Sequence, residues 1–107
     1  MIDTQVEITF KGQKLEWDAL KNQINIRKHD ISFHTARLVF SDVNRIEIPD
    51  YEHSTYEERY KVIGKIGNKS IILVVCTDRN DAVRIISARQ ATAKERDFYY
   101  DSYDMGI

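Results

Sequence analysis

Four arginines, a histidine and two glutamates decide what chemistry this chain of 107 residues could perform. Arg59, Arg79, Arg84 and Arg89 fall in one stretch, and a planar guanidinium can grip a phosphate through two parallel hydrogen bonds. Lys61, Lys65 and Arg96 add positive charge to the same stretch. His53 stands shortly before it and suits a proton shuttle, with an ordinary pKa of about 6.5. Glu57 and Glu58 are candidate bases. Each residue also has a plainer reading. For the arginines this is a surface or ion-pairing role, for His53 an exposed loop position, and for one of the glutamates simple solvation.

Charge distribution supports the first reading. Residues 59–96 carry a surplus of +6, whereas residues 1–58 carry −4 and residues 97–107 carry −3. The net charge of −1 therefore conceals a basic middle between acidic ends, and an anionic partner is expected there. Other constellations fail. His29, His34 and His53 lack a tight ligand spacing, and one cysteine builds no typical zinc site, so neither metal nor other cofactor is expected. There is no glycine-rich phosphate loop. Cys76 lies inside an apolar run and is a poor nucleophile. Tyr99, Tyr100 and Tyr103 could stack on bases, but packing in the core or against a partner is preferred.

Three apolar runs must position the basic residues. They are joined by Gly67-Asn68 and by residues 78–81, D-R-N-D, both of which suit hairpin turns. The pattern predicts strands at 59–66, 71–77 and 83–89, paired as an antiparallel meander. In the first, Tyr60, Val62, Gly64 and Ile66 should face the core, leaving Arg59, Lys61, Ile63 and Lys65 as a basic face. The second, I-I-L-V-V, should be covered on both sides. In the third, Arg84 and Arg89 have opposite parity, so only a bulge or the strand's end could bring them to one face. Thr92 and Glu95 form a capping box that predicts a helix over 92–103.

Upstream, residues 5–10 predict a short strand that turns at Lys11-Gly12-Gln13 into Leu15-Glu16-Trp17. Asp18 should cap a helix over 18–29, with Leu20 and Ile24 sharing a face and Asp30 as its left-handed stop. A second helix is expected over 32–40, then a short strand over 45–48 ended by Pro49, the one proline. One domain spanning 1–107 is expected. The start is polar and acidic, and no apolar run approaches the roughly 20 residues that cross a membrane. A soluble cytoplasmic protein without membrane contact is the expectation.

Several segments together resemble one family. They are L-E-W-D (15–18), the Lys28-His29 pair with I-S-F (31–33), V-F-S-D (39–42), E-E-R-Y-K-V-I-G (57–64), L-V-V-C-T-D-R (73–79) and I-I-S-A-R-Q-A-T-A-K-E-R (85–96). In order and spacing they are similar to the BrnT toxins, over about Leu15 to Tyr100. The resemblance implies the toxin half of a type II toxin–antitoxin pair, with a RelE-like α+β fold: an antiparallel meander packed with two N-terminal helices and one C-terminal helix. It implies a metal-independent endoribonuclease that arrests translation. Its implied partner is a BrnA-like DNA-binding antitoxin, in a hetero-oligomer or beside a homodimer.

On that reading RNA is cut by its own 2′-hydroxyl, which needs a base, an acid and cations for the phosphorane charge. His53, Glu58, Arg59, Arg79 and Arg89 are the expected catalytic set, and Lys61, Lys65, Arg84 and Arg96 the expected RNA-binding set. The alternative is a module that binds antitoxin or nucleic acid without cutting. Two positions depart from the family pattern. Asp30 stands where glycine is usual, and His34-Thr35 where Glu-Glu is frequent. Both concern helix ends.

Overall fold

The computed structural model describes residues 5–53, 57–68 and 70–105, without the side chains of His53 and residues 103–105. The chain opens with a hairpin of β1 (Gln5–Phe10) and β2 (Gln13–Asp18). Lys11 and Gly12 both take positive φ, 51° and 80°, as a two-residue hairpin turn requires. Helix α1 (Ala19–His29) follows at once. The Asp18 carboxylate caps it, accepting from the Leu20 and Lys21 amides at 2.8 and 3.2 Å. Asp30 ends it at φ 58°, ψ 35°, its N–H donating to the Ile26 carbonyl. Asp30 thus adopts the left-handed conformation that glycine most often supplies at a helix end.

The second predicted helix is shorter than expected. One α turn, α2 (Phe33–Ala36), tightens into a 3-10 segment, Arg37–Ser41. Ser32 caps α2 through its hydroxyl, accepting from the Thr35 amide at 3.0 Å. The 3-10 segment lays Val39 against Gly64, where an added β-carbon would stand 2.8 Å from the Val39 Cβ. Only glycine permits so close an approach.

Next come β3 (Ile46–Pro49), a 3-10 turn (Tyr51–His53), β4 (Arg59–Ile66), β5 (Ser70–Arg79), β6 (Ala82–Gln90) and α3 (Ala93–Met105). The predicted meander is present, with turns at Gly67 (φ 65°) and Asn80 (φ 59°). The whole sheet is larger and mixed: its order is β1-β2-β6-β5-β4-β3, and β2 runs parallel to β6. The expectation of a purely antiparallel meander behind two N-terminal helices is corrected accordingly. Those helices follow the first hairpin, and they carry the chain across the sheet from β2 to the far edge strand β3.

Side-chain alternation divides the core between the two faces. Leu15, Trp17, Phe33, Val39, Val62, Ile72, Val74, Cys76 and Ile85 cluster on the face covered by α2 and the 3-10 segment. Ile63, Ile71 and Leu73 cluster on the other face with Tyr99 of α3. Residues 71–74 of β5 are therefore covered on both sides, as the apolar run suggested, whereas Val75, the run's last residue, is only half-buried. Ile63 is buried under α3, so the basic face of β4 is interrupted: Arg59 and Lys61 remain at one end and Lys65 at the other.

Two polar residues, Asn25 buried and Asp42 half-buried, close the sheet's loose ends. β6 pairs with β2 only as far as Arg84, which leaves the Ala88 peptide without a strand on the side away from β5. Asn25 of α1 occupies that place, donating to the Ala88 carbonyl at 2.8 Å and accepting from its N–H at 3.1 Å. Asn25 is the residue α1 buries, while Leu20 and Ile24, the expected apolar face, are 65% and 52% exposed. At the other edge Asp42 accepts from the Lys65 amide at 2.8 Å and from the Tyr99 hydroxyl, tying the 3-10 segment to β4 and α3.

Candidate functional site

The α3-side face of the sheet is left open where α3 does not reach, and registration brings the cations there. Arg59 of β4 stands opposite Thr77 of β5, and Thr77 stands opposite Arg84 of β6. Arg84 in turn pairs with Glu16 of β2. One step along, Lys61 lies opposite Val75, and Val75 opposite Ser87. Another step on, Leu73 lies opposite Arg89. Arg84 and Arg89 share this face because the register slips between Val75 and Cys76, whose β6 partners are Ser87 and Ile85. The bulge at Ile86 reverses the parity of β6, which an undistorted strand could not do.

Arg59, Lys61 and Arg89 line one depression with Asp50, Leu73, Val75, Ile86 and Ser87, a cavity of about 240 Å³. Among the described residues no carboxylate is ion-paired to Lys61. Arg59 also lines a second cavity, about 490 Å³, with Pro49, Tyr51, Glu58 and Tyr60. The Glu58 carbonyl accepts from the Thr77 hydroxyl at 2.6 Å, which fixes the chain as it joins β4.

The remaining candidates are placed elsewhere or already engaged. Arg79 reaches Glu57 at 3.4 Å and lies outside both Arg59 cavities. Leu73, the partner of Arg89, is six residues from Arg79 along β5, about 20 Å of strand. The structure therefore brings Arg59 and Arg89 together but leaves Arg79 apart. Arg84 forms a nearly buried ion pair with Glu16 at 2.7 Å. Lys65 sits at the far end of β4, its ammonium 5.7 Å from the centre of the Tyr100 ring. Arg96 of α3 donates to the carbonyl of Ala91, ahead of the helix, at 3.2 Å. The His53 side chain lies outside the described residues, as do residues 54–56.

Arg89 is held by Glu95 of α3 in a two-pronged pair, 2.8 and 3.0 Å. Glu95 also completes the capping box, accepting from the Thr92 amide at 2.8 Å while the Thr92 hydroxyl accepts from the Glu95 amide at 3.2 Å. The Arg89 guanidinium holds the Glu95 carboxyl down at about 2, and Glu95 raises the arginine in return. A carboxylate depressed from an unfolded value of about 4.3 stabilises the fold above that pH. This contribution should vanish as the pH falls from about 4 to about 2. Its size should be about 1 kcal/mol or less, because the pair is partly exposed and screened. Urea unfolding of the parent and Glu95→Gln at pH 6 and pH 2.5 checks this. The two proteins should converge at low pH, and a constant difference would refute it.

Burial raises the Cys76 thiol to about 12, consistent with an inert core thiol. The Tyr60 hydroxyl is raised too, by burial first, and donates to Asp78 at 2.8 Å. Among the described residues no group of three His, Cys, Asp or Glu side chains is placed to hold a metal ion. No helix there is long and apolar enough to cross a membrane. Sequence reasoning missed Asp50 and Ser87 in the cavity, Glu95 as the partner of Arg89, and Glu16 as the partner of Arg84 outside it. The Thr92–Glu95 box was visible, but its reach back to Arg89 depends on the turn between β6 and α3.

Residues 17–95 match the family model described as ribonuclease toxin, BrnT, of type II toxin–antitoxin systems. A crystal structure of the Brucella abortus ribonuclease toxin BrnT is similar at 31% identity and a TM-score of 0.57. The alignment covers 71% of this chain and 92% of that one. No curated protein sequence matches the chain.

Proposed function

This chain belongs to the family of BrnT ribonuclease toxins of type II toxin–antitoxin systems, and we propose from that membership that it cleaves RNA without a metal. Cleavage arrests translation in the cytoplasm, and a BrnA-like DNA-binding antitoxin neutralises it. We read the fold as RelE-like. The observation that carries the proposal is the depression in which Arg59, Lys61 and Arg89 meet over an open sheet face. A scissile phosphate bound there would face two guanidinium groups and one ammonium, and charge developing on the phosphorane would be met by donors already in place.

Glu58, beside Arg59 in the adjoining cavity, takes the 2′-hydroxyl proton on this reading. His53 follows it as donor to the leaving oxygen. Arg79 and Arg84 would contribute longer-range attraction, since neither lines the depression. Lys65 and Arg96 extend positive charge along the same side, towards α3.

The test is incubation of purified protein with single-stranded RNA, with and without EDTA. Equal cleavage in both, leaving 2′,3′-cyclic phosphate ends, is the expected result. Binding without cleavage would instead identify a non-catalytic interaction module.

A further inference from the structure

The second cavity at Arg59 has a composition that phosphate chemistry alone does not explain. Three of its lining residues, Pro49, Tyr51 and Tyr60, present ring surfaces, and the other two are Glu58 and Arg59. Tyr51 is 86% exposed, so its ring contributes little to the core and both faces remain accessible. Its neighbours are firmly held. The Asp50 amide donates to the Arg59 carbonyl at 2.9 Å, which clamps the start of the Tyr51 turn to the first residue of β4. The Tyr60 hydroxyl is tied to Asp78, and the Glu58 carbonyl to Thr77. Tyr51 therefore projects from a fixed base beside a guanidinium that also lines the phosphate depression.

An aromatic face beside a backbone-binding cation is how proteins hold unpaired nucleobases, because every base has a face that stacks. We infer that this cavity is a nucleobase subsite. One unstacked base of single-stranded RNA rests on the Tyr51 ring against Pro49, and its adjoining phosphate bridges to Arg59. The inference rests on the RNA-cleaving reading and adds that the substrate is single-stranded at this position. A base inside a duplex is stacked on both faces and cannot reach Tyr51.

The test uses a fluorescent single-stranded RNA oligonucleotide with 2′-O-methyl groups, which binds but cannot be cut. Anisotropy titrations compare the parent, Tyr51→Phe and Tyr51→Ala. Tyr51→Phe keeps the ring and should bind as the parent does, whereas Tyr51→Ala should bind about tenfold or more weakly. An oligonucleotide with one abasic site, walked along the sequence, should lose affinity for the parent at one position. Against that oligonucleotide Tyr51→Ala should have no further effect. Circular dichroism should show both variants folded. Equal affinity of the parent and Tyr51→Ala would overturn the subsite and leave the RNA reading standing. So would an equal loss in Tyr51→Phe. A parent that binds no single-stranded RNA would overturn both.

Discussion

Replacing Arg59 by Ala should lower RNA cleavage about a hundredfold, the largest loss among the basic residues. Arg59 is the one cation that lines both cavities, so its removal affects the phosphate depression and the neighbouring pocket together. Deleting a donor aimed at developing charge costs roughly 3 kcal/mol in the transition state. The backbone bonds that hold the position, to Asp50 and across to β5, do not involve the side chain. Arg89→Ala should approach the same kinetic loss, but with a stability cost, because it strands Glu95 at the head of α3. Arg79→Ala should lose far less, since Arg79 is exposed, paired to Glu57 and absent from the depression. Single-turnover cleavage rates, with a thermal melt for each variant, provide the measurement. If Arg59→Ala cuts at the parental rate, or Arg79→Ala loses more than Arg59→Ala, the depression is not the site.

Glu16→Ala should destabilise the fold by about 3–5 kcal/mol, because it leaves Arg84 desolvated beside no counter-charge. The side chains of Arg84 and Glu16 are only 12% and 9% exposed, and the pair closes at 2.7 Å across the parallel β2–β6 seam. Against a total stability of about 5–15 kcal/mol this is a large fraction. Removing both charges together, as in Glu16→Leu with Arg84→Met, should recover most of the loss, since apolar side chains of similar size need no partner. Urea unfolding of Glu16→Ala, of Arg84→Met alone and of the double variant measures both effects. A Glu16→Ala protein within 1 kcal/mol of the parent would show that the pair is hydrated rather than buried. The same cycle tests Arg84 as an RNA contact: a stable double variant that binds RNA as the parent does would confine Arg84 to a structural role.

What the sequence determined by itself was local. Asp18, Asp30 and the Thr92–Glu95 box act over four residues or fewer, and the predicted helix ends fall where they place them. The turns at Lys11-Gly12, Gly67 and Asn80 are set by backbone preferences of single residues, so the hairpin and the meander were legible too. The unbroken apolar run in β5 foretold the two-sided core, whereas alternation in β4 foretold only one of its faces, since Ile63 of the expected basic face is buried as well. Tertiary structure decided everything that depends on partners distant in the chain. The parallel pairing of β2 with β6, and with it the Glu16–Arg84 pair, joins residues 68 positions apart. Asn25 is inward, and Leu20 and Ile24 outward, because the Ala88 peptide 63 residues away, with no strand on the side away from β5, needs a hydrogen-bonding side chain. The bulge at Ile86 is one added residue in a ladder whose partner strand is fixed elsewhere, yet it decides that Arg84 and Arg89 share a face. Arg59 and Arg89 meet, and Arg79 does not join them, because cross-strand register sets that distance and no spacing within one strand encodes it.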